Sequence, residues 1–370
     1  MPELDALSLL SGDARTFLEE VWASSVHVHR RDPAALVALL PLEAVDELLT
    51  SSAIRTPAVR IVKDGKVQAS STYTRKATMA GEAVTGLVDA RKALDLFRDG
   101  ATVVLQGLHR YWQPLTQLVR ELEVQLGHPC QANAYLTPPG SQGFARHQDT
   151  HDVFVFQTSG RKQWTVGDDE VLLEPGLSMY LPTGTPHSAR SEQDTSLHVT
   201  IGINRYTWRD ALTRAVTEAL ADSRYDEALP AGYLDDPRRL ADPLRDELES
   251  MIKALQATDA HDLAEKRATT FLTDRPPLLR GGLLDQRVEI TDDTRLERRP
   301  GSVCVLRPDG DRLRVLLGDR ELRVPMRLEA ALAFVRDTPS WRVADLPLDE
   351  KSRLVLARRL LREGLLQVHR

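Results

Sequence analysis

The chain is short of several things, and each shortage excludes something. Only two cysteines, Cys130 and Cys304, occur among 370 residues. Two distant thiols exclude a disulfide scaffold, an iron–sulfur cluster and a zinc site built from cysteine. They also fit a reducing compartment, so a cytoplasmic location is expected. No apolar run approaches the ~18 residues that a membrane-spanning helix needs. The opening residues carry acids and lack the basic-then-apolar layout of a secretory signal. Neither sign of charge dominates. The formal net charge is −6, which argues against a basic, nucleic-acid-binding surface over the whole chain. What is present is an ordinary globular mix, 42% hydrophobic and 28% charged, long enough for two or three domains. With thiols scarce, ten histidines and 54 carboxylates are the available metal donors. A protein-held metal would therefore sit on nitrogen and oxygen.

The texture changes along the chain. Residues 1–95 read as mainly helical, with Phe17, Leu18, Val21 and Trp22 at helical spacing and Leu42, Val45, Leu48 and Leu49 likewise. Within them, Arg60 to Gln68 reads as a hairpin turning at Asp64-Gly65. Beyond residue 96, a strand at Thr102–Leu105 and a helix at Tyr111–Leu126 lead into short alternating segments. These are Asp152–Gln157, Lys162–Val166, Met179–Leu181 and Leu197–Ile203, separated by Gly, Pro, Ser and Asp. Many short strands without crossover helices argue for a sandwich or barrel and against a doubly wound parallel sheet. Residues 207–280 are helical again, with Leu244, Leu248, Met251, Ile252 and Leu255 forming one apolar stripe. That stripe suits either a core face or a dimer interface. Residues 285–370 alternate small helices and edge strands, an order similar to a winged helix.

The residues that carry chemistry cluster in the barrel region. His147 and Asp149 are two apart, so in an extended segment they share a face and can grip one ion. His187 follows Leu181-Pro182-Thr183-Gly184-Thr185-Pro186, a rigid turn able to aim a side chain to the same spot. Two imidazoles and a carboxylate on one face are the ligand set of non-haem Fe(II) oxygenases, although zinc also accepts such sets. His151 shares the parity of His147 and Asp149 and is a rival ligand. Lys162 follows a tight Thr158-Ser159-Gly160 turn. If Lys162, Trp164 and Val166 face inward, its ammonium can meet the far carboxylate of a chelating oxo acid. Each signal also has a bland reading. A His-x-Asp pair occurs by chance, lysines after turns are commonly solvated, and His27, His29, His109, His128, His261 and His369 read as ordinary surface histidines. His198 reads as a core or supporting histidine.

Taken together, Asn133-x-Tyr135-x-Thr137-Pro-x-Gly140-Ser141-Gln142-Gly143, then His147-x-Asp149, then Lys162, then Leu-Pro-x-Gly-x-Pro-His187 resembles the JmjC-type ribosomal oxygenases of the cupin-like superfamily. The resemblance implies an α+β protein whose core is a double-stranded β-helix, a cupin-like jelly roll. Helical additions and a C-terminal winged helix surround it. It divides the chain into a helical lead (1–95), the oxygenase core (96–206), a helical dimerisation region (207–280) and the winged helix (285–370). It implies Fe(II) held by His147, Asp149 and His187, 2-oxoglutarate anchored by Lys162, dioxygen as co-reactant, and substrate contacts from Asn133 and Tyr135. The implied activity is hydroxylation of a protein side chain, with a ribosomal protein as first candidate. A peptide natural-product precursor or an N-methylated residue is the alternative. A homodimer is implied, with no membrane partner. Val104 and Gly202 stand where relatives carry polar substrate-contacting residues, which puts the target residue in doubt rather than the chemistry.

A reading from another class is a ligand-sensing or DNA-binding regulator. Lys351, Arg353, Arg358, Arg359 and Arg362 lie on the last helix and can track phosphates. The segment 285–370 holds 18 basic and 15 acidic residues, too even a balance to favour direct nucleic-acid binding.

Overall fold

The computed structural model describes residues 5–142 and 144–370; Gly143 of the sequence motif lies outside them, as do the first four residues of the expected helical lead. The chain divides into two compact units, Met1–Arg205 and Tyr206–Arg370.

The first unit contains thirteen described strands. They are β1 (His27–Arg30), β2 (Val59–Lys63), β3 (Lys66–Val67), β4 (Thr74–Met79), β5 (Glu82–Val88), β6 (Thr102–Leu105), β7 (Cys130–Thr137), β8 (Asp152–Ser159), β9 (Lys162–Val166), β10 (Asp169–Leu173), β11 (Leu177–Leu181), β12 (His187–Ser191) and β13 (Ser196–Ile203). Eight form a major sheet in the order β1-β11-β8-β13-β7-β6-β2-β3, and β10-β9-β12 form a minor sheet. Every described pairing in the two sheets is antiparallel. Bridges Gln142↔Arg190 and His147↔His187 place Gln142 and His147 along the free side of β12. The fold is α+β around a double-stranded β-helix, as expected.

The pleat explains how β8 is buried on both sides. Phe154 and Phe156 join Tyr180 in the cluster that includes Leu7, Leu10, Phe17 and Leu36 of the helical lead. Val153 and Val155 point the other way and join Trp164, Val166, Met179 and Leu181. A strand covered on both faces reads as a continuous apolar run. Phe17 meets Tyr180 edge-on at 4.9 Å between centroids, which ties the lead to the barrel wall.

The lead is less helical than its sequence periodicity indicates. Helices Ala6–Ser11, Pro33–Val37, Leu42–Thr50 and Ala90–Arg98 are present, but β1, β2 and β3 are built into the major sheet. β4 and β5 form a further hairpin, turning at Ala80 and Gly81 with φ of 50° and 85°. That hairpin is largely solvent-facing, so it lacks the apolar alternation that would reveal it. The expected Asp64-Gly65 turn is present, with both residues at positive φ.

The second unit begins with helices Trp208–Ala219, Arg238–Ala257 and Ala260–Thr273. It continues with β14 (Arg295–Arg298), β15 (Val305–Asp309), β16 (Arg312–Leu316), β17 (Glu321–Pro325), β18 (Ser340–Arg342) and β19 (Leu366–Val368), in two three-stranded sheets. Helices Glu329–Asp337 and Glu350–Arg362 pack on a core of Leu296, Leu313, Val315, Val335, Trp341 and Leu360. Leu244, Leu248 and Ile252 are 47%, 56% and 54% exposed. Among the described residues, no helix is long and apolar enough to cross a membrane.

Candidate active site

Backbone pairing builds the site. His147 donates its N–H to the carbonyl of His187 (3.0 Å), and His187 returns the bond (2.8 Å). Residues that exchange both bonds sit directly opposite, with side chains on one face. Gly184, at φ 82°, donates its N–H to the Asp149 carbonyl at 3.0 Å. The turn before His187 therefore also fixes Asp149. The Asp149 carboxylate lies 3.8 Å from His147 Nε2 and 3.6 Å from His187 Nε2. One donor atom from each of the three residues falls within 4.8 Å of the others.

Both imidazoles are oriented from behind. Nδ1 of His147 lies 2.9 Å from the Ala145 carbonyl, and Nδ1 of His187 lies 2.9 Å from the Thr185 carbonyl. A carbonyl can only accept, so each Nδ1 carries the proton and each Nε2 presents a lone pair beside Asp149. Burial holds the His187 imidazole below its ordinary pKa, favouring that neutral form. His151 is not part of this cluster. Its ring packs on Gly202, where a Cβ would come within 2.6 Å of Nε2.

Behind the turn, Asp152 is fully buried. Its carboxylate accepts from the Tyr180 hydroxyl, from Thr183 N–H (2.8 Å) and Oγ1 (2.6 Å), and pairs with Arg205 Nε at 3.1 Å. This hub clamps the turn that carries His187.

The three donors open into a cavity of about 230 Å³, lined also by Arg60, Thr102, Tyr135, Phe144, Val153, Val155, Lys162, Trp164, Ala189, His198 and Thr200. Lys162 is buried, and its Nζ donates to Thr137 Oγ1 at 2.9 Å. Thr137 in turn meets the Thr102 hydroxyl at 3.1 Å. No carboxylate pairs with Lys162 among the described residues, and burial drives its pKa down to about 7. Gly160 makes that placement possible. It turns at φ 63°, and a Cβ there would lie 2.1 Å from the Thr195 carbonyl oxygen. His198 is buried, with Nδ1 unpartnered among the described residues; burial, with Lys162 nearby, holds its pKa well below the ordinary value. Its ring stacks on Tyr135 at 4.8 Å and 3°. Burial likewise raises the Tyr135 phenol pKa. Trp164 Nε1 is also buried without a partner among the described residues.

Comparison with known proteins agrees with this geometry. The sequence pattern of the JmjC domain matches residues 108–172 and 168–211. Residues 108–211 are therefore similar to a JmjC domain. Over 204 residues it is 35% identical to the bifunctional lysine-specific demethylase and histidyl-hydroxylase NO66 of Branchiostoma floridae, covering 50% of this chain and 33% of that protein. Over 305 residues it is 29% identical to ribosomal oxygenase 1 of Danio rerio, covering 66% of this chain and 56% of that protein. The chain thus spans between a third and just over half of these relatives. The Escherichia coli ribosomal oxygenase YcfD, solved with cobalt and 2-oxoglutarate, shares the fold with a TM-score of 0.54 at 17% identity, covering 98% of this chain and 99% of that one.

Within the matched stretch, His147, Asp149, His187, Lys162 and Tyr135 all line the same cavity. Asn133 lies two residues before Tyr135 on β7, where its Oδ1 accepts from Gly107 N–H at 3.0 Å. The inward parity expected of Lys162 and Trp164 is present. Arg60, Thr102, Phe144 and Asp152 were not legible as site residues. Thr102 is buried within an apolar strand, and Arg60 comes from a hairpin distant in sequence.

Proposed function

We propose that this protein is an Fe(II)- and 2-oxoglutarate-dependent dioxygenase that hydroxylates a side chain of a protein substrate, with a ribosomal protein as first candidate. The observation that carries the reading is Lys162. It is a buried ammonium without a carboxylate partner among the described residues, lining the same cavity as two imidazoles and a carboxylate. A buried cation is costly unless paired, and an oxo acid with a second carboxylate supplies the pair. The donor set fits a divalent ion, because both Nε2 atoms and the Asp149 carboxylate are acceptors. A zinc site would account for the three donors but not for the lysine.

When bound, iron with 2-oxoglutarate and dioxygen supplies the power to hydroxylate an unactivated carbon, releasing succinate and carbon dioxide. The chain supplies position. His147, Asp149 and His187 would hold the ion, and the carbonyls of Ala145 and Thr185 keep the imidazoles in the ligating tautomer. Lys162 would orient the cosubstrate, with Thr137 holding its ammonium in place. Tyr135 and Phe144 give the substrate side chain an aromatic wall.

The names of the relatives support a ribosomal or histidyl target, and that of NO66 also supports N-methyl demethylation. Formaldehyde in the products would mark demethylation, whereas a gain of one oxygen marks hydroxylation. We read the exposed stripe at 244–252 as a homodimer interface and 285–370 as a winged helix, at work in the cytoplasm. Succinate release from iron-loaded protein with ribosomal-protein extract tests the activity. Absence of both turnover and binding of 2-oxoglutarate would overturn it. Asp149→Ala is expected to abolish Mn(II) binding by calorimetry.

A further inference from the structure

Arg60 stands in the cavity without a task in that reading. On β2 it is in register with Val104, which is in register with Tyr135, which is in register with His198. Partners across antiparallel strands share a face. Arg60 therefore points to the side where Tyr135 and His198 line the cavity. Its guanidinium lies 5.6 Å from the Phe144 ring centroid, on the segment leading to His147. Its Nε is buried and has no hydrogen-bond partner among the described residues. Asp149 is the single acid among the described lining, and it belongs to the metal donors.

The charges then decide what Arg60 is for. A divalent ion, one Asp149 carboxylate, one Lys162 ammonium and a dianionic oxo acid sum to zero. Arg60 adds a positive charge that nothing in this set neutralises. A half-buried guanidinium needs acceptors, and a carboxylate matches its fork best. The same charge repels a cation entering beside it.

We propose that Arg60 is a specificity-determining residue that anchors an acidic side chain of the substrate, so that the substrate class is a peptide with a neutral target residue flanked by Asp or Glu. This rests on the dioxygenase reading. It disfavours protonated methyl-lysine or methyl-arginine as the target.

The test uses full-length protein loaded with Mn(II). Short fluorescein-labelled peptide pools carry histidine, asparagine or lysine at the centre, glutamate or glutamine beside it, and degenerate positions elsewhere. Anisotropy is expected to show wild-type protein preferring glutamate-flanked, neutral-centred pools by about tenfold or more. Arg60→Gln should erase the preference, Arg60→Glu should reverse it towards lysine-centred pools, and Arg60→Lys should restore part of it. 2-Oxoglutarate binding to Arg60→Gln, read by calorimetry, should stay within about twofold of wild type. The proposal is overturned if wild type shows no charge preference, if the variants keep the wild-type preference, or if Arg60→Gln loses 2-oxoglutarate. If wild type fails to bind 2-oxoglutarate but peptide preference still follows residue 60, the dioxygenase reading falls and the role of Arg60 stands.

Discussion

Lys162 shows how one residue can be costly for folding and useful for binding. An ordinary lysine titrates near 10.4, roughly; burial brings this one down to about 7. A bound carboxylate raises it again. On the proposed dioxygenase reading, affinity for 2-oxoglutarate is therefore full below the free value and falls as pH rises through and beyond it. Calorimetry on Mn(II)-loaded protein is expected to show constant affinity below pH about 7 and a loss of about tenfold per unit above. A flat profile into the alkaline range would remove Lys162 as the anchor. Lys162→Met should bind 2-oxoglutarate at least about 100-fold more weakly. Without cosubstrate it should also be more stable than wild type, by about 1–3 kcal/mol in urea denaturation, because an unpaired buried cation is gone. Parity in sequence pointed this lysine inward. Thr137, which accepts its hydrogen bond, showed in the sequence only as a motif position, because its partnership needs strands β7 and β9 to be set against each other.

At the scale of elements, the Pro182–Pro186 turn is the piece on which the site depends. Its Pro and Gly pattern was readable, and Gly184 takes the positive φ such a turn requires. What clamps it was not readable. Asp152 opens an apolar strand and looks like a polar start to it, yet it binds Tyr180, Thr183 and Arg205 at once. Asp152→Ala should cost about 3–5 kcal/mol, since it leaves Arg205 and two hydroxyls facing a void. It should also weaken Mn(II) binding although no ligand is changed. Chemical denaturation and calorimetry on one preparation check both, and unchanged metal affinity would separate the hub from the site.

At the scale of the molecule, the helix Arg238–Ala257 has no fully buried residue, yet it carries a regular apolar stripe. Exposed apolar surface of this kind suits the proposed dimer interface. Light scattering is expected to give twice the 41.3 kDa chain mass for wild type and a single-chain mass for Leu248→Glu combined with Ile252→Glu. A wild-type monomer at working concentration removes the dimer.

By itself, the sequence named four residues that meet in the cavity. His147, Asp149, His187 and Lys162 sit in short, strongly punctuated segments, where side-chain period and turn type are local properties. The long helix Gln113–Leu126 and the strands β8, β9 and β13 were legible for the same reason. Tertiary structure alone decided which distant residues complete the cavity. Arg60 reaches it only because β2 joins the major sheet two strands from Tyr135, and no local pattern encodes which strands become neighbours. It also decided that His151 packs on Gly202 rather than joining the donors. Parity gives a side chain its face; which of two same-parity histidines meets the carboxylate depends on the opposing strand, and that strand carries His187.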